Sequence, residues 1–201
     1  MGDQKIKTVR YYDQQATSYF ASLNKDEKSS WWKDEMCKFN KYLPNGKVIE
    51  IGSGIGSDAE ALINLGYDYT GTDASSELLK IASKRNPSAQ FLNKFAHELE
   101  PSLGEFDGFW ASAVLLHIPR NEISDSLLAI SSVLRNQGIG FITIREGKGE
   151  KFDEKKGRLF TYYSEEEFSS VLKTAGFFVL EVRRRNIENN NWLIFFVRKE
   201  S

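Results

Sequence analysis

The chain has 201 residues with 40% hydrophobic and 27% charged, enough for a sizeable core under a well-solvated surface, which excludes disorder throughout. A net charge of −1 excludes a surface-wide pull toward nucleic acid or anionic lipid. A single cysteine, Cys37, excludes an intramolecular disulfide and a cysteine-rich metal site.

The polar start Met1-Gly2-Asp3-Gln4-Lys5 lacks the apolar centre of a signal peptide. No apolar run approaches the roughly 20 residues that cross a bilayer. The expectation is a soluble cytoplasmic protein with no membrane partner.

Ile6, Val9, Tyr12, Ala16, Tyr19 and Leu23 recur at steps of three and four and predict a first helix. After a polar break, Trp32, Met36, Phe39 and Leu43 form a second stripe, stopped by Pro44-Asn45-Gly46. From Lys47 strands and helices alternate. Val48-Ile49-Glu50-Ile51 is a β-branched run ending in glycines, and a helix over 59–65 closes at Gly66. A strand over 67–72, a helix over 76–85, strands at Phe91-Leu92 and over 106–111, and a helical stripe of Ile123, Leu127, Ile130 and Leu134 follow. The strand over 139–144 is the fifth. Residues 147–163 are polar and without periodicity, and read as a long loop, a candidate mobile cover. Ser164-Glu165-Glu166-Glu167 is a capping box opening a helix that ends at Gly176. Strands over 177–182 and 192–197 then suit an antiparallel hairpin. The alternation demands parallel strands with crossover helices. The fold class expected is therefore α/β, with a Rossmann-like, mostly parallel seven-stranded sheet and helices on both faces. One domain over 1–201 is expected, with a helical cap over 1–45 and the core over 46–201.

Glu50-Ile51-Gly52-Ser53-Gly54-Ile55-Gly56 lies between a strand and a helix, where glycines let a ligand approach the backbone. A dinucleotide fingerprint would place its third glycine at Ser57, whereas here it comes one residue early, at Gly56. Asp73 ends the second strand, where a carboxylate can accept two ribose hydroxyls or cap the next helix.

The acidic residue followed by three alternating glycines resembles the first motif of class I S-adenosylmethionine (SAM) methyltransferases. The resemblance runs from about Tyr11 to Val197 and includes the segment from Phe106 to Pro119, similar to strand four and its exit in small bacterial members. It implies SAM as cofactor and S-adenosylhomocysteine as product. It also implies that Glu50, Gly52, Ser53, Gly54 and Gly56 hold the methionine portion, and that Asp73 with Ala74 holds the ribose. Phe95 and Ala96 would frame the adenine, although the family commonly has Asp where Phe95 stands. Ala111 and Ser112 would line the floor beneath the methyl group. Tyr11, Tyr12 and Tyr19 resemble an aromatic cover folded over SAM; Tyr11 and Tyr19 are assigned to the pocket, while Tyr12 fits core packing equally well.

His117 follows the exit of strand four and is the candidate base; the alternative is a capping histidine. Arg145 and Glu146 end strand five, where they either orient substrate or pair with each other. No Asp/Asn-Pro-Pro-aromatic motif follows strand four, and no catalytic thiol or acidic metal cluster stands at matching positions. A small-molecule acceptor with in-line methyl transfer is expected, with no metal and no nucleic-acid partner. The competing readings are methylation of a protein or RNA through Arg183-Arg184-Arg185, a SAM-binding module without turnover, and an NAD-dependent oxidoreductase, which Ser57 disfavours.

Overall fold

Both faces of the central sheet must be covered, because four consecutive residues of its first strand, Val48 to Ile51, are buried. In the computed structural model, which describes residues 2–23 and 32–201, helices supply that cover. Strands β1 (Lys47–Ile51), β2 (Asp68–Asp73), β3 (Gln90–Asn93), β4 (Phe106–Ala111) and β5 (Leu134–Glu146) alternate with helices. Those helices are α3 (Ser57–Asn64), α4 (Ser76–Arg85) and α5 (Ile123–Ser132), preceded by α1 (Gly2–Leu23) and α2 (Lys33–Tyr42). The strands pair in parallel in the order β3-β2-β1-β4-β5. The order reverses between β1 and β4, and in open α/β sheets that switch opens a crevice at the carboxyl ends of the strands.

One face packs Ile49, Phe109, Ile142 and Leu127; the other packs Val48, Trp110, Phe141 and Trp192 beneath α2. Trp110 and Phe141 stack with ring centroids 3.6 Å apart, joining β4 to β5. The second stripe is buried as expected at Trp32, Met36 and Phe39. The first stripe is turned slightly. Ile6 is 39% exposed, while Thr8 and Ala16 are buried. The last residue of the predicted helix stripe, Leu134, begins β5 and still enters the core.

After α6 (Glu165–Thr174), β8 (Phe177–Ile187) and β9 (Asn190–Lys199) form the expected antiparallel pair, with β9 lying along β5. The capping box opens α6: Ser164 Oγ accepts the Glu167 N–H, and Glu167 returns a carboxylate to the Ser164 N–H at 2.9 Å.

The expected fold class stands, but the sheet has nine strands instead of seven. Residues 147–163 are not a loop. They form β6 (Gly149–Asp153) and β7 (Arg158–Tyr163), an antiparallel hairpin. Charges on β6 and in its turn hide the pattern, but Leu159, Phe160, Thr161 and Tyr163 are buried. β7 joins β5 at Arg145↔Tyr162 and Glu146↔Tyr163. There β9 already holds one edge of β5, at Arg145↔Trp192, and β4 has ended at Ala111↔Ile142. β7 therefore takes over the edge that β4 vacates, and the hairpin stands above the crevice. Among the described residues no helix is long and apolar enough to cross a membrane.

Candidate active site

The turn after β1 is shaped by what surrounds it. Gly52 has φ +72°, and a Cβ there would lie 2.3 Å from a Val114 methyl carbon, so only glycine fits. Gly54 has φ +54°, and a Cβ there would meet nothing within 4 Å, so its backbone faces open space. Gly56 lies against α4 instead, where Asn86 Nδ2 donates to its carbonyl at 3.0 Å. The Ser53 N–H donates to Thr72 O and the Gly56 N–H to Ser53 O, tying the turn to β2.

Asp73 closes β2 beside this turn. Its Oδ2 accepts the Gly54 N–H at 2.9 Å and its Oδ1 accepts the Ser75 N–H at 2.8 Å. Burial pushes its carboxyl up to about 6, against the pull of those two N–H donors. The crevice beside it is lined from below by Gly52, Gly54, Asp73, Ala74, Ser112 and Val114, and at one end by Phe95 and Ala96. Lys5, Thr8, Val9 and Tyr12, one face of α1, line it from above.

Four residues hold α1 there. Lys5 pairs with Glu122 at 2.6 Å, and Thr8 Oγ1 accepts the Leu159 N–H of β7 at 3.0 Å. Asp13 Oδ1 accepts Ser75 Oγ–H at 2.6 Å and the Glu77 N–H at 3.3 Å, an anion at the amino end of α4. Tyr12 Oη lies 2.9 Å from His117 Nε2.

His117 Nδ1 lies 2.6 Å from the Leu159 carbonyl, which only accepts, so the ring proton is on Nδ1. Nε2 then carries a lone pair and Tyr12 donates to it, while Arg158 Nη1 donates to Tyr12 Oη at 3.3 Å. Burial, then the charges of Arg158 and Arg145, bring the imidazole down to about 4, overcoming the opposing bond to Leu159. His117 is neutral at physiological pH and a weak base. Next to it, Ala113 takes φ +53°, a conformation L residues rarely adopt, and donates its N–H to Thr143 Oγ1 at 2.8 Å.

Residues 48–138 match a family described as "Methyltransferase domain". An uncharacterized protein of Methanocaldococcus jannaschii is 30% identical over 162 residues, covering 76% of this chain and 74% of that protein. The chain belongs to this family of methyltransferase domains. The fold agrees with solved members. The Burkholderia thailandensis 1,6-didemethyltoxoflavin-N1-methyltransferase, with bound 1,6-didemethyltoxoflavin and S-adenosylhomocysteine, superposes with TM-score 0.76 at 22% identity, over 96% of this chain and 88% of that one. The magnesium protoporphyrin IX methyltransferase of Synechocystis, with bound SAM, gives TM-score 0.64 at 17% identity, over 95% and 81%.

Of the residues expected from the sequence at the methyltransferase cleft, the structure brings together Gly52, Gly54, Asp73, Ala74, Phe95, Ala96, Ser112 and His117. Five others stand behind it. Glu50 is buried and accepts a hydrogen bond from Tyr69; burial, then the neighbouring Glu50, raises the Tyr69 hydroxyl, and burial holds the Glu50 carboxyl well above the usual range. Ser53 and Gly56 shape the turn, and Ala111 is enclosed in the core. Tyr11 lies outside the lining, with the Arg158 guanidinium 4.9 Å from its ring. The side chain of Tyr19 lies outside the described residues. The tyrosine that does line the cleft is Tyr12, which its place on the apolar stripe suggested for core packing.

Sequence reasoning missed Lys5, Thr8, Val114 and Asp13. Lys5, Thr8, Val9 and Tyr12 share one helical spacing, a signal available in the sequence but obscured because two of the four are polar. Glu146 does not pair with Arg145; its carboxylate is 3.0 Å from Arg184.

Proposed function

We propose that this methyltransferase transfers a methyl group to a small-molecule acceptor, with SAM seated between the turn at Gly52–Gly54 and helix α1. The observation that carries the reading is Asp73. A partly buried carboxylate, prearranged by two backbone N–H groups at the lip of the cleft, is suited to accept both hydroxyls of a ribose. Gly54, whose missing side chain leaves open space, gives the adjoining portion of the nucleoside a bare backbone to rest against. Phe95, with Lys5 Nζ 5.2 Å from its ring centroid, offers a flat apolar surface for the purine.

SAM, when bound, supplies an activated methyl on a sulfonium. The protein's work is then to bind, orient and exclude water. Ser112, Ala113 and His117 lie at the mouth of β4 where the acceptor would stand, and Lys5, Thr8, Val9 and Tyr12 of α1 cover that space. His117 holds the Tyr12 hydroxyl in place more than it abstracts protons, since an imidazole brought down to about 4 is a poor base at neutral pH. An acceptor amine, which attacks before losing its proton, suits such a site better than an unactivated hydroxyl.

The small-molecule reading is favoured over a protein or RNA acceptor by the fate of the basic run. Arg183 pairs with Glu181, Arg184 with Glu146 and Glu165, and Arg185 with the buried Glu35. Charges spent within the fold leave little for a phosphate backbone. Calorimetry with SAM and S-adenosylhomocysteine, followed by transfer of labelled methyl from SAM into a metabolite pool, tests the proposal. Binding with label appearing in a low-mass product supports it. Absence of heat from both nucleosides overturns it.

A further inference from the structure

Two arginines near His117 have no acidic partner among the described residues, although Arg158 also donates to Tyr12 Oη at 3.3 Å. Arg145 ends β5 and Arg158 opens β7, so the pairing of those strands brings them to the same place. Arg145 lies 4.7 Å from the Phe160 ring centroid and 5.5 Å from that of Trp192. Arg158 lies 5.1 Å from the same Phe160 ring. Among the described residues neither guanidinium has a carboxylate within 4.0 Å, and the Nε of each is buried with no hydrogen-bond partner. Arg198 shares the orphaned Nε, but it stands at the opposite end of the sheet, against Phe178.

Two cations on one aromatic ring repel each other, and each has lost part of its water. Arg120, Arg135, Arg183, Arg184 and Arg185 meet carboxylates, whereas Arg145 and Arg158 meet rings. Phe160 also touches His117, with ring centroids 5.0 Å apart, and His117 lines the cofactor cleft. The pair therefore borders the ground where an acceptor would meet the methyl group. A guanidinium that stacks on aromatic faces keeps its N–H edge for a planar or tetrahedral oxyanion.

We infer that Arg145 and Arg158 are the acceptor-recognition site, and that the acceptor carries a carboxylate or a phosphate on a body able to lie against Phe160 and Trp192. This rests on the methyltransferase reading above, and it names the class of molecule methylated.

The test uses the full chain saturated with S-adenosylhomocysteine and titrated with benzoate, inorganic phosphate and the neutral benzamide, followed by calorimetry and by the fluorescence of Trp192 and its neighbours. At least one anion binds and benzamide does not; which anion binds distinguishes a carboxylate from a phosphate. Arg145→Gln weakens the anion about tenfold or more, and Arg145→Lys weakens it less. S-adenosylhomocysteine affinity in both variants stays within about twofold, since Arg145 is outside the cofactor cleft. The inference is overturned if neither anion binds the saturated protein, if benzamide binds as well as benzoate, or if Arg145→Gln binds the anion like wild type. Failure of the nucleoside itself to bind would bring down the cofactor reading, a separate and prior result. Comparing benzoate with benzamide needs no variant, so a misfolded one leaves the test intact.

Discussion

The two sides of the cleft are made by different means. On the turn side, the Ser53 N–H donates to Thr72 O and the Gly54 N–H to the Asp73 carboxylate, joining neighbouring strand ends over buried β-sheet. On the other side, α1 meets the hairpin through side chains, and Thr8 and Leu159 are 151 residues apart in sequence. The first arrangement is rigid because it belongs to the core. The second, held by side chains of one helix, should open at lower cost than the sheet unfolds. A site that must admit and release a nucleoside needs both, a fixed seat and a removable cover.

Four substitutions or conditions sharpen that contrast. The largest effect is expected in the seat. Gly52→Ala places a methyl on Val114 at a left-handed position and should cost about 3 kcal/mol in chemical denaturation, whereas Gly54→Ala, with open space, costs about 1 kcal/mol. Equal losses would mean the turn is not fixed by its neighbours. Next, Asp73→Ala removes two charge-assisted contacts to the ribose and should weaken S-adenosylhomocysteine about a hundredfold by calorimetry, with the fold retained.

The third is a pH effect. Asp73 titrates at about 6, and its protonated form no longer accepts from both hydroxyls. Affinity should therefore be full above that value and fall as pH drops through it, to about one-tenth at pH 5. His117, at about 4, stays neutral over this interval, so the fall reports on Asp73 and should vanish in Asp73→Asn. The smallest effect belongs to the cover. Asp13→Ala removes the cap that α1 places on α4 and should cost about 1 kcal/mol of stability. Stopped-flow release of S-adenosylhomocysteine should quicken in the same variant. Unchanged release would show that α1 is not the gate.

The same contrast governs what could be read in the sequence. The seat is local: a β-branched strand, three glycines and an acid at the next strand's end lie within 24 residues, Glu50 to Asp73, so spacing alone exposes them. Glu50, however, shares that motif and sits behind the turn against Tyr69, because a residue's place in a motif does not tell which way its side chain points. The cover is non-local. Residues 147–163 carry charges on the outer strand and aromatics on the inner one, so neither strand alternates cleanly. Nothing local in Arg145 or Arg158 tells that β-pairing will bring both to Phe160. For Tyr12 the sequence left cover and core packing equally open, since a helix stripe reports burial without naming what covers it.

The hairpin at 149–163 has a consequence beyond this chain's own chemistry. It is spliced between β5 and α6 and carries Arg158 and Phe160, whereas the turn at Gly54 and the Asp73 carboxylate come from the ends of β1 and β2. On the inference above, the hairpin would supply one half of acceptor recognition, Arg158 and Phe160, to Arg145 of β5 and Trp192 of β9. An exchange of this one insertion would redirect what is methylated while the methylating machinery stays as it is, which makes the hairpin the natural place for selection, or an engineer, to begin.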